Sequence, residues 1–104
     1  MPKIAEFAGY VIDIVAEELD VPKECIVSKN RKAEVVDARH MVAKLLYVHN
    51  VYPRRIARIF GLSPRSIQYA LTSFEGRMET NRGLRSPYAR VAKALGEKRE
   101  VSAK

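Results

Sequence analysis

Hydrophobic positions recur at helical spacing along almost the whole chain. In the first stretch they fall at Ile4, Phe7, Ala8, Val11, Ile14, Val15 and Leu19, with Glu6, Asp13, Glu17 and Glu18 opposite, the pattern of an amphipathic helix. Asp20, Val21 and Pro22 close it, and Pro22 suits the first position of a short connector helix through Lys23-Glu24-Cys25-Ile26. The polar segment Ser28-Lys29-Asn30-Arg31-Lys32 has no apolar neighbour to hold it and reads as a basic loop. From Ala33 to His49 the stripe Val35, Ala38, Val42, Leu45, Leu46 and His49 predicts a central core helix, with Asp37, His40 and Lys44 on another side and Arg39 at the edge of the stripe.

Asn50-Val51-Tyr52-Pro53 interrupts that helix, because the residue before a proline is pushed out of helical geometry. Two shorter patterns then meet across a glycine. Ile56, Ala57 and Phe60 give one helix its apolar face, Gly61 breaks it, and Ser63-Pro64 opens a second helix running to about Glu79 with Ile67, Ala70, Leu71, Phe74 and Met78 as its buried stripe. This is the outline of a helix-turn-helix, in which Gly61 takes the positive φ of the turn and Ile67 fills the angle between the helices. Thr80 to Arg85 reads as a loop, and Ser86-Pro87 repeats the helix-start signal ahead of Tyr88, Val91, Ala92 and Leu95. No strand-like alternation occurs, so the expected fold is all-α: a compact bundle of five to six helices in one domain over residues 1–96, with a charged, disordered tail at 97–104.

Charge changes this picture from generic to specific. The net charge is +7, and residues 1–27 hold two Lys/Arg against six Asp/Glu while residues 28–104 hold seventeen against six, so an acidic first helix sits on a body of +11. A basic body attracts polyanions. No apolar run approaches the roughly 20 residues of a membrane span, and the N-terminus lacks the order of a secretory signal, so a cytoplasmic protein is expected. Cys25 is the only cysteine, which excludes an intramolecular disulfide and a Cys-based zinc site within one chain, and it reads as a small core residue. His40 and His49 are nine residues apart without acidic or thiol partners at ligand spacing.

The residues offer little for catalysis and much for nucleic acid. There is no phosphate-cradling glycine loop ending in Lys-Ser/Thr and no His-Glu-x-x-His, so the reading is a non-enzyme with no cofactor, no metal and no small-molecule substrate. Double-stranded DNA is the expected partner. Arg65, Ser66, Gln68, Tyr69 and Ser73 lie on the outer face of the second helix of the pair, with Arg65, Ser66 and Tyr69 near its start as the candidates for base edges, and Arg54, Arg55 and Arg58 on the first helix suit phosphates. Ser63 caps its own helix, whose free N–H groups also suit a phosphate.

With these residues in view the chain resembles, from about Val11 to Leu95, the C-terminal DNA-binding domain of the bacterial replication initiator DnaA, a fold shared with the Trp repressor. Three motifs carry the resemblance in order: Ser28-Lys29-Asn30-Arg31, Ala38-Arg39-His40 and Ile56-Ala57-Arg58-Ile59-Phe60-Gly61. By that resemblance Lys29, Arg31 and Lys32 belong to a basic loop whose arginine, Arg31, enters the minor groove, where it reads groove width and A·T content. Arg39 and His40 would stand near the phosphate backbone. The family's Gly-Gly-Arg-Asp-His-Thr-Thr is replaced by the shorter Gly61-Leu62-Ser63-Pro64-Arg65-Ser66, so DNA binding carries over and the initiator's preferred sequence does not. The initiator's ATPase module is absent from this stretch. Two alternatives stand beside this reading: a stand-alone repressor-like regulator or phage or mobile-element protein, as monomer or dimer, and an interaction module that has lost DNA and uses the acidic first helix as its partner surface.

Overall fold

A computed structural model describes residues 4–28 and 31–103, apart from the side chains of Arg82 and of residues 97–103. It contains six helices: α1 (Ile4–Leu19), α2 (Lys23–Ile26), α3 (Ala33–Val48), α4 (Pro53–Phe60), α5 (Pro64–Thr80) and α6 (Arg82–Ala103). No strand occurs among the described residues. The all-α class and the first five helices agree with the hydrophobic pattern.

Three helix ends are built the same way. At Asp20, Asn50 and Gly61 the backbone turns left-handed, with φ of 57°, 72° and 67°. The next residue then donates its N–H back five positions: Val21 to Ala16 at 3.0 Å, Val51 to Leu46 at 3.0 Å and Leu62 to Ala57 at 2.8 Å. This satisfies a carbonyl the helix leaves open and folds an aliphatic side chain under its end. Asp and Asn tolerate the left-handed region better than most residues. Val21 and Val51 are accordingly buried, and Leu62 packs on the core.

α3 is the axle of the fold, contacting α1, α2, α4 and α5. Its stripe of Val35, Ala38, Val42, Leu45 and Leu46 is buried as its spacing predicts, and Met41 and Ala43 are buried as well. A helix with neighbours on several sides needs a wider apolar face than a surface helix. Around it, α1 contributes Ala8, Val11, Ile12 and Val15, and α5 contributes Ile67, Ala70, Leu71 and Phe74. Phe74 is fully buried and meets the ring of Tyr88 on α6 at 5.7 Å. His49 is half-buried at the end of α3, with its ring edge-on to Phe7 at 5.3 Å.

The start of α6 differs from expectation. Residues 80–85 are not a loop: α5 ends at Thr80, Asn81 alone makes the break, and α6 begins at Arg82 with Pro87 inside it. The Asn81 side chain accepts the Gly83 N–H at 2.9 Å, which starts the helix five residues ahead of the Ser-Pro signal. Arg85 then turns back and donates to the carbonyls of Met78 and Glu79, capping the end of α5. Arg90 ties α6 to α1 through Glu18 at 2.6 Å.

Candidate nucleic-acid interface

α4 and α5 are joined by the three residues Gly61, Leu62 and Ser63. Ile56, Ala57 and Phe60 of α4 face inward with Ile67 of α5. The Ser63 hydroxyl accepts the Ser66 N–H at 3.1 Å, so Ser63 caps α5 and Pro64 fills a position where no N–H is needed. This fixes the outer face of α5. Ile67 is 1% exposed and Tyr69 is 70% exposed, and Arg65, Ser66 and Gln68 are exposed with Tyr69.

An open groove of about 600 Å³ runs between this face and the N-terminal half of α3. Arg31, Arg39, His40 and Ala43 line one wall, and Arg65, Ser66, Tyr69 and Ala70 line the other, with Phe60, Leu62 and Ile67 also reaching it. Among the described residues that line it, none is acidic. Asp37, whose charge acts on His40, is paired with Arg77 at 2.7 Å. The groove therefore keeps a positive lining over an apolar floor.

The site residues read from the sequence distribute as follows. Arg31, Arg39, His40, Arg65, Ser66 and Tyr69 come together at the groove, although Arg31 and Arg65 are 34 residues apart in the chain. Gln68 is exposed on α5 outside the groove, and Arg58 is exposed on α4. Arg54 and Arg55 flank a separate cleft of about 400 Å³ with Tyr52 and Pro53. Lys32 is exposed, and its carbonyl accepts the Val36 N–H at 2.9 Å as α3 begins. Lys29 lies outside the described residues.

Two of these residues have environments that the sequence did not foretell. The Arg39 guanidinium is directed at the end of α2, with Nε donating to the Ile26 carbonyl at 2.9 Å and a terminal nitrogen donating to the carbonyls of Ser28 at 2.6 Å and Cys25 at 3.3 Å. Burial lowers its pKa from the ordinary arginine value. Burial also lowers the pKa of His40 from its ordinary 6.5, with Asp37 opposing and the cations Arg39 and Arg77 reinforcing. His40 therefore meets the groove as a neutral imidazole at pH 7, able both to donate and to accept a hydrogen bond. Leu62, Phe60 and Ala43 were missed as groove residues, because an apolar residue at helical spacing carries no sign that it floors a surface cleft.

No family model matches the chain. Over 71 residues, 67% of this chain, it is 34% identical to the chromosomal replication initiator protein DnaA of Leptospira biflexa serovar Patoc. The resemblance is to DnaA. A second DnaA, from Bacteroides fragilis strain YCH46, is 29% identical over 94 residues, 88% of this chain. The matched stretches are 16% and 20% of these DnaA proteins, so the chain spans under a quarter of their length. The similarity bears out the resemblance to DnaA read from the sequence.

Among the described residues no cluster of His, Cys, Asp and Glu could hold a metal ion, and no helix is long and apolar enough to cross a membrane.

Proposed function

We propose that this chain is a double-stranded DNA-binding domain in which α4 and α5 act as a helix-turn-helix. In this reading α5 enters the major groove with Arg65, Ser66, Gln68 and Tyr69 toward base edges. Arg54, Arg55 and Arg58 hold phosphates, and the basic loop before α3 presents Arg31 to the adjacent minor groove. The observation that carries it is the groove itself, which Arg31 from one segment and Arg65 from another both line, with no acidic residue among its described lining. The similarity to replication initiators points the same way. The chain acts by binding and not by catalysis.

The target sequence is expected to differ from the initiator's, because by the resemblance the Asp and His that the family brings to its own site have no counterpart in Gly61-Leu62-Ser63-Pro64-Arg65-Ser66. The test is affinity for a random duplex, an initiator-type site and a selected pool across a range of salt. Counterion release requires log affinity to fall linearly with log salt, with a slope close to the number of phosphates engaged. Absence of binding to every duplex at low salt would overturn the proposal.

A further inference from the structure

The chemistry around Arg39 assigns it a role different from the phosphate neighbour that its motif suggests. α2 has only four residues, Lys23 to Ile26, too few to be stable without outside contacts. Its last carbonyls, at Cys25 and Ile26, and that of Ser28 all point to one guanidinium, that of Arg39 two turns into α3. A planar cation at a helix C-terminus is favoured by the dipole, and the fork of an arginine reaches several carbonyls at once where an ammonium would not. Those carbonyls stand at the point where the chain leaves α2 for the basic loop. On the far side of that loop Lys32 is held to α3 by the bond from Val36. Arg31 is next to that anchor, and its side chain shares the groove with Arg39.

We propose that Arg39 is a positioning residue: it clamps the end of α2 onto α3 and so fixes where Arg31 is offered to DNA. The DNA part of this proposal rests on the function proposed above, whereas the clamp itself does not. The guanidinium acts by holding the end of α2 and Ser28 against α3, and the discrimination that Arg31 supplies depends on it.

The experiment has two arms on the full chain, using Arg39→Gln, Arg39→Lys and Arg31→Ala. Without DNA, limited trypsin digestion follows cleavage after Arg31 and Lys32, with cleavage after Arg54 and Arg55 as the internal reference. R39Q is expected to raise loop cleavage by on the order of tenfold with the reference sites unchanged, and R39K, which keeps charge and stem but loses the fork, to fall between. Unchanged loop cleavage, or an equal rise at every site, would overturn the clamp. With DNA, discrimination between A·T-rich and G·C-rich duplexes is measured across salt. R39Q is expected to lose as much discrimination as R31A, and the double variant no more than either. Additive losses would show that Arg39 contributes to discrimination independently of Arg31, and a salt slope reduced by about one with discrimination intact would show a direct phosphate contact; either result overturns positioning. If the unaltered chain binds no duplex, the proposed function falls and the trypsin arm still decides the clamp.

Discussion

Arg77 near the end of α5 donates to the Asp37 carboxylate on α3 at 2.7 Å, so the helix proposed to read DNA is tied to the helix that carries the rest of the groove. The carboxylate is largely covered and the guanidinium half exposed, at 15% and 46%. Water screens such a pair, and its net worth is about 0.5–1 kcal/mol. Asp37→Asn and Arg77→Ala are each expected to lower stability by about that amount, with the double variant no worse than the worse single one. Urea unfolding at low and high salt checks this, since the cost should shrink as salt rises.

The same carboxylate helps to set the charge of His40. The folded chain holds His40 below its ordinary 6.5 through burial, against the pull of Asp37. A base with a depressed folded pKa binds its proton more readily in the unfolded chain. Its contribution is complete above pH 6.5 and is lost as pH falls from there through the lowered folded value. The melting temperature should therefore drop between pH 7 and pH 5 by more in the parent than in His40→Gln. Parallel melting curves across that range would contradict the burial of a neutral His40.

Ser63 gives a sharper test of the α4–α5 junction. Its hydroxyl is the acceptor for the Ser66 N–H, and losing an N-cap costs about 1 kcal/mol. Ser63→Ala should lower the unfolding free energy by about that much, with Ser63→Asp close to neutral. A denaturant series measures both.

Gly61 separates backbone strain from crowding. Its φ is 67°, and a Cβ placed there meets no heavy atom within 4 Å. The cost of Gly61→Ala is then conformational alone, about 1–2 kcal/mol, and Gly61→Asn should cost less, as Asn50 already holds φ of 72° at the end of α3. An alanine as well tolerated as asparagine would contradict the left-handed turn.

These cases show which parts of the molecule the chain spells out. Helix identity was legible because apolar residues at a period of 3.6 mark one buried face, and Ser63, Gly61 and Pro53 act through their own backbone. The second faces were not: Ile12, Met41 and Ala43 are buried because α1 and α3 each meet more than one neighbour. The start of α6 lies five residues ahead of Pro87 because the Asn81 side chain makes the cap, and a lone Asn marks a helix start less plainly in a sequence than a Ser-Pro pair. Candidate site residues could be named singly from charge and motif. That Arg31 and Arg65 share a groove, and that Arg39 turns to carbonyls 11 to 14 residues upstream, are products of packing α2 and α5 on α3.

The division between reading and holding DNA can be tested on single arginines. Arg65 is exposed at the first turn of α5 on the groove wall, where an arginine can meet a base edge, whereas Arg55 flanks a separate cleft on α4. Arg65→Ala should cost about 1–3 kcal/mol on the best selected duplex and much less on random DNA, because a lost bidentate base contact removes discrimination. Arg55→Ala should weaken all duplexes alike and reduce the slope of log affinity against log salt by about one. The two variants are compared on the same pair of duplexes at several salt concentrations. Equal, sequence-independent losses from both would place Arg65 on the phosphate backbone with Arg55, and base reading would then have to come from Ser66, Gln68, Tyr69 and the loop arginine.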